Sequence, residues 1–535
     1  MIRHIFKKDL RLLWPVAAML TLLQLGNNAM LLLNPVYEDN ANGITDGAPG
    51  AMQLVLLAAI LLGGAFLIAA IVYQDPIPGV RQDWLVRPVS RTHLLLAKIL
   101  SVVLLVHVPM FAADLLYAVA AGFPIGPSIS FAVSRNIFLM MILTLPLLAL
   151  ASITKNLMEA VAGGFAIAVS LALFGLVTGA LHWSINMSYN AAEGTGLQWV
   201  SQSAGFLVGF LGALVVLSIQ YFRRKTQFAR GVAAGVWILF LAVTFFFPWN
   251  VASAVQRQFV PQPGAGSAVS LSFDPSIGKF HRTPIRTTST NPTWYLPMSV
   301  DGLLSDAALR ADRYSTRAVF ASGESRLLSI DTNADFMQNG PSRIQVNFDP
   351  LDGASMNSPL NDKRVKSEPM QIEIEMSMTL FQRSRTAELT ALSGKFEVGG
   401  VGCIHREWSM YTSYDDEADA EVVLSCTPVL TPSCYTLVLH DVPAPYVLHP
   451  VLKCAADYKP YSGRIYPGGR AINAVAHLRD PKEVVRYPQN LDHVFESPAA
   501  LNIYEPVDHF TKTVVIPNIR FNDWTADPTP VTPQK

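Results

Sequence analysis

The first half of the chain is organised by long apolar runs and the second by short alternating ones. Seven stretches before Trp249 are long and apolar enough, or nearly so, to form crossing helices: roughly 12–33, 51–73, 97–121, 136–153, 157–181, 203–222 and 231–249. Since about 20 apolar residues cover the hydrocarbon core of a bilayer, the pattern predicts an α-helical polytopic domain of six to seven transmembrane helices. Only Thr154 to Asn156 separate the fourth and fifth runs, which predicts a tight helical hairpin and leaves open whether both cross.

Beyond Ser267 the period changes from that of a helix to that of a strand. Arg343 to Phe348 alternates polar and apolar residues. So does Gln371 to Leu380, with Ile372, Ile374, Met376 and Met378 on one side and Glu373, Glu375, Ser377 and Thr379 on the other. "EVVLSC", "YTLVLH" and "KTVVIP" add further short strands. Such strands between Pro, Gly and Asp turns predict a mainly-β, sandwich-like domain. Ser305 to Ala321 is expected to be one helical interruption. The domain boundaries expected are 1–250 for the membrane part, 251–267 for a linker, 268–522 for the β-rich domain and 523–535 for a disordered, Pro/Thr-rich tail. Within the linker, Pro261 to Ser267 ("PQPGAGS") has the composition of a flexible segment.

Composition agrees with this division. The 535 residues are 51% hydrophobic and only 15% charged, against roughly a quarter charged in soluble domains. The net charge is zero, so the overall balance suggests neither nucleic acid nor an acidic partner. The distribution of charge is informative instead. With the N-terminus cytoplasmic, the inner segments hold Arg3, Lys7, Lys8, Arg11, Arg81, Arg87, Arg91, Lys98, Lys155, Arg223, Arg224, Lys225 and Arg230, and the outer loops before the tail hold only Arg135. Lys and Arg concentrate on the inner side of short loops, which fixes the expected direction. The apolar run in 1–33 is too long for a cleaved signal peptide and no clean small-x-small site follows it. Before it, Ile2, Phe6, Leu10 and Leu13 fall near one helical face with Lys7, Lys8 and Arg11 mostly on the other, the pattern of a helix at the membrane interface.

An odd number of spans places the β-rich domain outside. All four cysteines (Cys403, Cys426, Cys434 and Cys454) lie there, and none occurs in the first 402 residues. Disulfides persist outside the cytosol. Four cysteines allow three pairings; Cys403–Cys426 with Cys434–Cys454 is the most local. Catalytic and metal motifs are sparse: there is no H-E-x-x-H site and no G-x-S-x-G elbow, and His405 and His440 lie apart from any ligand spacing. Tyr414 to Glu421 ("YDDEADAE") reads as a solvated acidic loop, with a hard cation as the sharper alternative. Within the expected spans, Asp114 and His107 share the third; an ionisable group there marks a pathway or an interhelical pair. Glu159 beside Lys155 reads as a local ion pair near the inner surface, or as a second contact for a cytoplasmic partner.

The connector between the second and third spans carries the strongest motif. Pro76, Pro78 and Gly79 end the incoming helix, Pro88 makes a turn, and Ser90 is placed to cap a helix starting near Arg91. A short, basic, partly apolar element on the inner face either docks a cytoplasmic partner or anchors to anionic lipid headgroups. Its sequence, D-P-x-x-G followed by W-x-x-R-P-x-S-R-x-x-L-L-x-A-K, is carried by Asp75, Pro76, Gly79, Trp84, Arg87, Pro88, Ser90, Arg91, Leu94, Leu95, Ala97 and Lys98. It resembles the inner loop of permease subunits of bacterial type-2 ABC exporters. The opening "MIRHIFKKDLRLLWP", with its Lys8–Asp9 pair, also looks like that family's start, and the resemblance covers roughly the first 225 residues.

The resemblance implies a permease without enzymatic activity of its own in the bacterial inner membrane, whose loop 75–98 inserts into a separate ATPase subunit, and a second permease copy or a homologous permease beside it. No G-x-x-x-x-G-K-[ST] loop occurs in the chain, so ATP would be used by the partner and no cofactor or metal is expected here. The seventh span and the large outer domain depart from that family's pattern. The competing expectation is a membrane-anchored extracytoplasmic binding or sensor protein, and the cargo is not readable from the sequence.

Overall fold

The structure, a computed structural model, describes residues 2–33, 48–74, 90–123, 125–185, 198–274, 293–331, 335–337, 340–347, 368–389, 395–398, 401–412, 418–426, 434–440, 447–450, 453–454, 470–479 and 499–519. The helical half consists of α1 (Ile2–Leu33), α2 (Ala48–Tyr73), α3 (Arg91–Val102), α4 (Val108–Ala121), α5 (Ile125–Leu139), α6 (Leu145–Ile153), α7 (Leu157–Ile185), α8 (Gln198–Ser218), α9 (Thr226–Phe246) and the short α10 (Trp249–Arg257). Single π-helical turns join α3 to α4 (Val103–His107) and α5 to α6 (Met140–Thr144), and a third follows α8 (Ile219–Arg223). Among the described residues, six helices are long and apolar enough to cross a membrane: Ala51–Tyr73, Thr92–Ala121, Ser128–Ile153, Leu157–Val177, Trp199–Arg223 and Thr226–Phe246. By helix length and composition the chain is a multi-pass membrane protein.

The sequence predicts a first span at 12–33, and α1 is one helix over that stretch. Its Gln24, Asn27 and Asn28 are buried rather than turned outward. No break separates the basic start from the rest, and the helix continues through Pro15. The expected spans at 97–121 and 136–153 begin earlier, at Thr92 and Ser128. Arg135, expected in an outer loop, consequently lies within a crossing helix. The turn between α6 and α7 falls at Thr154–Asn156, as the sequence predicts.

The bundle closes around Leu13, Leu67, Ile71, Leu148 and Leu217, all buried in one cluster. Phe165, Leu176 and Leu22 are among the large apolar side chains left outside it. Water does not drive helices together inside lipid, so close packing must do so. The pairing of α8 with α9 shows how: a Cβ added at Gly212 would lie 2.2 Å from Val236 Cγ1.

The second half is antiparallel throughout its described pairings. Its strands are β1 (Ser270–Phe273), β2 (Thr293–Asp301), β3 (Ala307–Phe320), β4 (Ser325–Asp331), β5 (Asp335–Met337), β6 (Gly340–Asn347), β7 (Met370–Leu389), β8 (Lys395–Val398), β9 (Val401–Thr412), β10 (Ala418–Cys426), β11 (Cys434–Leu439), β12 (Val447–Pro450), β13 (Lys453–Cys454), β14 (Arg470–Arg479) and β15 (Ala499–Ile519). They form a three-stranded sheet β1-β2-β6, a five-stranded sheet β12-β14-β10-β9-β8, and a seven-stranded sheet β13-β11-β15-β7-β3-β4 with β5 paired to β3. One core joins the first and last of these. Met298 and Val300 of β2 pack with Leu309, Tyr314, Ile374, Met376 and Ile516 of the larger sheet. The alternation read in β7 is kept, since Ile372, Ile374, Met376 and Met378 are all buried.

Ser305 to Ala321 is a correction: it forms strand β3, not a helix. Asp312 is an extra residue between the pairs Ala311–Met378 and Arg313–Ser377. Such a bulge shifts the inward parity, from Leu309 and Ala311 before it to Tyr314 and Ala318 after it. The resulting spacing imitates a helical period, and pairing with β7 and β4 overrides it. The Pro261–Ser267 segment is also ordered rather than loose. Gly264 N and Gly266 N donate to Asp508 Oδ2 at 3.1 and 2.8 Å, and Gln262 N donates to Val507 O at 3.0 Å. Asp508 is 4% exposed, so these bonds are shielded from water.

Candidate functional site: buried polar residues of the bundle

The connector motif falls mainly outside the described residues: Asp75, Gly79, Trp84, Arg87 and Pro88 all lie in 75–89. Its far end is described. Ser90 caps α3, its Oγ accepting from His93 N at 3.3 Å, which satisfies one of the amides a helix start leaves unpaired. Arg91 is the first residue of that helix. Lys98 does not reach solvent. It is 1% exposed and its Nζ donates to Asp9 Oδ2 at 3.0 Å. Ser101 Oγ donates to Ala97 O at 2.9 Å and stands 3.5 Å from the same Asp9 oxygen. The helix leaving the connector is thus tied to the first helix of the chain by a buried ion pair.

A second polar level lies further along the same helices. The Asp114 carboxylate, on α4, accepts from Arg135 Nη1 of α5, both residues being buried. Gln24 of α1 adds a hydrogen bond to that carboxylate. One turn on, Asn28 Nδ2 donates to Ala113 O at 3.0 Å. Asp9 to Gln24 is 15 residues and Lys98 to Asp114 is 16. At 1.5 Å per residue both steps are about 22–24 Å. So α1 runs parallel to the Thr92–Ala121 helix over most of a bilayer's thickness. Between the two levels, His107 Nδ1 is 3.2 Å from Asn136 Oδ1 and His107 Nε2 is 3.0 Å from Thr144 Oγ1. His107 and Thr144 are the last residues of two of the π-helical turns. Single π turns recur at functional positions in helices.

Asp114 and His107 are legible in the sequence as ionisable residues in a span. Arg135, Gln24, Asn28, Asn136 and Thr144 are not. Arg135 reads as loop charge because it interrupts an apolar run, and the amides carry no charge to attract notice. Glu159 forms a local cluster: its carboxylate accepts from Arg230 Nη2 at 2.5 Å and from Lys155 N at 2.5 Å. Asn156 Oδ1 in turn accepts from Glu159 N at 2.9 Å and caps α7.

The β-rich half holds a buried polar row of its own. Arg310, Thr379 and His509 are direct cross-strand neighbours on β3, β7 and β15. Thr379 Oγ1 donates to Asp312, which also accepts from Arg310 Nε at 2.6 Å. With the hydroxyl proton so used, His509 Nδ1, 2.7 Å away, is the donor to Thr379. Burial, and then the Arg310 charge, hold the His509 imidazole down to about 4, with Asp508 opposing and Arg257 adding to the effect. Burial disfavours the charged form, so the imidazole is neutral at neutral pH. Nearby, the Arg313 guanidinium lies 4.8 Å over the ring of Trp249, which joins α10 to β3.

Among the cysteines, Cys403 stands opposite Cys426 across β9 and β10, and Cys434 opposite Cys454 across β11 and β13. His405 lies on β9 opposite Leu424, and His440 Nε2 is 3.5 Å from Glu388 Oε2 on an exposed surface. Half of the acidic "YDDEADAE" stretch, Ala418 to Glu421, starts strand β10, and the rest lies outside the described residues. Among the described residues, no group of three or more His, Cys, Asp or Glu could hold a metal. No protein family model matches the chain, and no curated protein is similar to it.

Proposed function

We propose that the chain is the membrane-spanning permease subunit of an ATP-driven exporter of the type-2 ABC kind, with the segment 75–98 passing the motion of a separate ATPase to the bundle. The observation that carries this reading is the D-P-x-x-G…W-x-x-R-P-x-S-R pattern between two membrane-length helices. Two features support it. The chain has no phosphate-binding Gly-Lys loop of its own. The helix leaving the connector begins at a side-chain cap and is joined to α1 through Lys98 and Asp9, so a push on the connector would move two helices together. In this reading the N-terminus is cytoplasmic, the membrane is the bacterial inner membrane, and a second permease copy completes the unit.

The β-rich domain then lies on the outer side with two disulfides. Directly opposed residues of an antiparallel pair have Cα atoms about 4.5–5.5 Å apart, inside the range of a disulfide. The registers of Cys403 with Cys426 and of Cys434 with Cys454 fit that pairing.

The test is coupling. Arg87→Glu and Trp84→Ala should abolish the response of the ATPase to the permease while leaving insertion and the β-rich domain intact. Loss of insertion instead would make the connector a lipid anchor and favour a membrane-anchored binding protein.

A further inference from the structure

The level of Asn28 and Asp114 carries an imbalance that the transport reading does not use. Asn28 gives its Nδ2 to Ala113 O, which fixes the amide orientation and leaves Oδ1 as an acceptor. That oxygen has no hydrogen-bond partner among the described residues, and neither do Asn27 Oδ1 and Asp114 Oδ1. Their residues are only 3%, 3% and 4% exposed. Three acceptors without donors thus sit on α1 and α4: Asn27 adjoins Asn28 in the chain, and Asp114 adjoins the Ala113 that Asn28 bonds. A buried acceptor left unpaired bears its whole desolvation cost, and hydrocarbon supplies no donor. The pair Asp114–Arg135 neutralises the full charges at this level, so what the oxygens lack is a neutral or weakly cationic hydrogen-bond donor rather than a metal ion. On one side of the seam, the π turn Val103–His107 lies directly before α4, an irregularity that recurs at functional positions in helices.

We infer that the seam between α1 and α4 opens in a second conformation and admits hydrogen-bond donors, water at the least, to Asn28, Asn27 and Asp114. The arrangement described is its closed form. The site would also receive a hydroxyl- or ammonium-bearing cargo, with the same chemistry as water.

The test uses the full chain in lipid nanodiscs, with whatever subunit co-purifies, and a water-soluble maleimide as the probe. The wild type, whose four cysteines all follow residue 402, sets the background. Asn28→Cys is buried in the closed form and should label only if the seam hydrates. Leu22→Cys, outward on the same helix at 68% exposure, reports lipid contact, and Ser322→Cys reports free solvent. Labelling of Asn28→Cys at least tenfold faster than Leu22→Cys is expected. Labelling no faster than Leu22→Cys, with Ser322→Cys reactive, overturns the proposal. Ala113→Cys reads the same seam from its other wall should Asn28→Cys fail to insert. The proposal rests on the transport reading only for its timing: a seam that labels but ignores ATP keeps the inference and counts against that reading. Protection by a candidate cargo, beyond that by buffer, separates cargo from water.

Discussion

Asp9 and Lys98, 89 residues apart, form an ion pair that is almost wholly withdrawn from solvent, with side chains 0% and 1% exposed. One residue belongs to the basic N-terminal segment and the other to the helix that leaves the connector. Both look like surface charges in the sequence. Removing one partner of a buried pair strands the other charge and typically costs about 3–5 kcal/mol. Lys98→Ala and Asp9→Asn should each lower the thermal midpoint of the purified chain by several degrees. The pair Asp9→Leu with Lys98→Leu should recover most of that loss. If the double variant is as unstable as the sum of the single ones, the two residues do not act as a pair.

The Asp114–Arg135 pair gives the same kind of expectation one level further along. Asp114→Asn leaves the guanidinium of Arg135 uncompensated between helices and should destabilise the fold by about 3–5 kcal/mol, with a lower folded yield. Asp114→Leu with Arg135→Leu should be close to wild type in stability. Comparison of the two in detergent melts decides whether the charges hold α4 to α5.

The α8–α9 contact is set by the lack of a side chain at Gly212. Gly212→Leu forces Val236 aside at a position where a Cβ alone already comes within 2.2 Å. Overpacking of this kind costs about 1–3 kcal/mol. Gly231→Ala, where a Cβ meets nothing within 4 Å, should be neutral. Equal melting behaviour of the two variants would contradict the close packing described.

His509 makes the β-rich half sensitive to acid. Its ordinary value is about 6.5, and burial with Arg310 lowers it to about 4 in the fold. The unfolded chain therefore takes up the proton first. Stability is fully present above about pH 6.5 and falls as the pH drops from there towards about 4, at about 1.4 kcal/mol per unit. His509→Gln should flatten that part of the melting-temperature profile of the full chain. An unchanged profile would remove His509 as the cause.

Much of this architecture is legible in the residues. Six apolar runs became membrane-length helices because each is continuous, and β7 kept the alternation of Ile372 to Met378 because one face packs on the core. The failures have specific causes. The buried setting of Gln24, Asn27 and Asn28 on α1 is not visible locally, because their surroundings are on other helices. Arg135 is neutralised by Asp114, 21 residues away, so its place in a helix cannot be read from its neighbours. Strand β3 is disguised by the bulge at Asp312, where the inward parity changes. Pro261–Ser267 has a linker's composition and is held by Asp508, more than 240 residues later.

The cysteines provide a prediction independent of transport. Non-reduced peptide mapping should recover Cys403 with Cys426 and Cys434 with Cys454. Either alternative pairing would contradict the pairing read from the strand registers, and four reactive thiols in native protein would also contradict the proposed outer location of this domain.

The most direct measurement is affinity recovery of the tagged chain from native membranes, with identification of what accompanies it. The account predicts an ATPase subunit at about one per permease, lost in the Arg87→Glu variant while the folded chain is still recovered. A chain recovered without any ATPase would contradict it and leave the β-rich domain as the place where function resides.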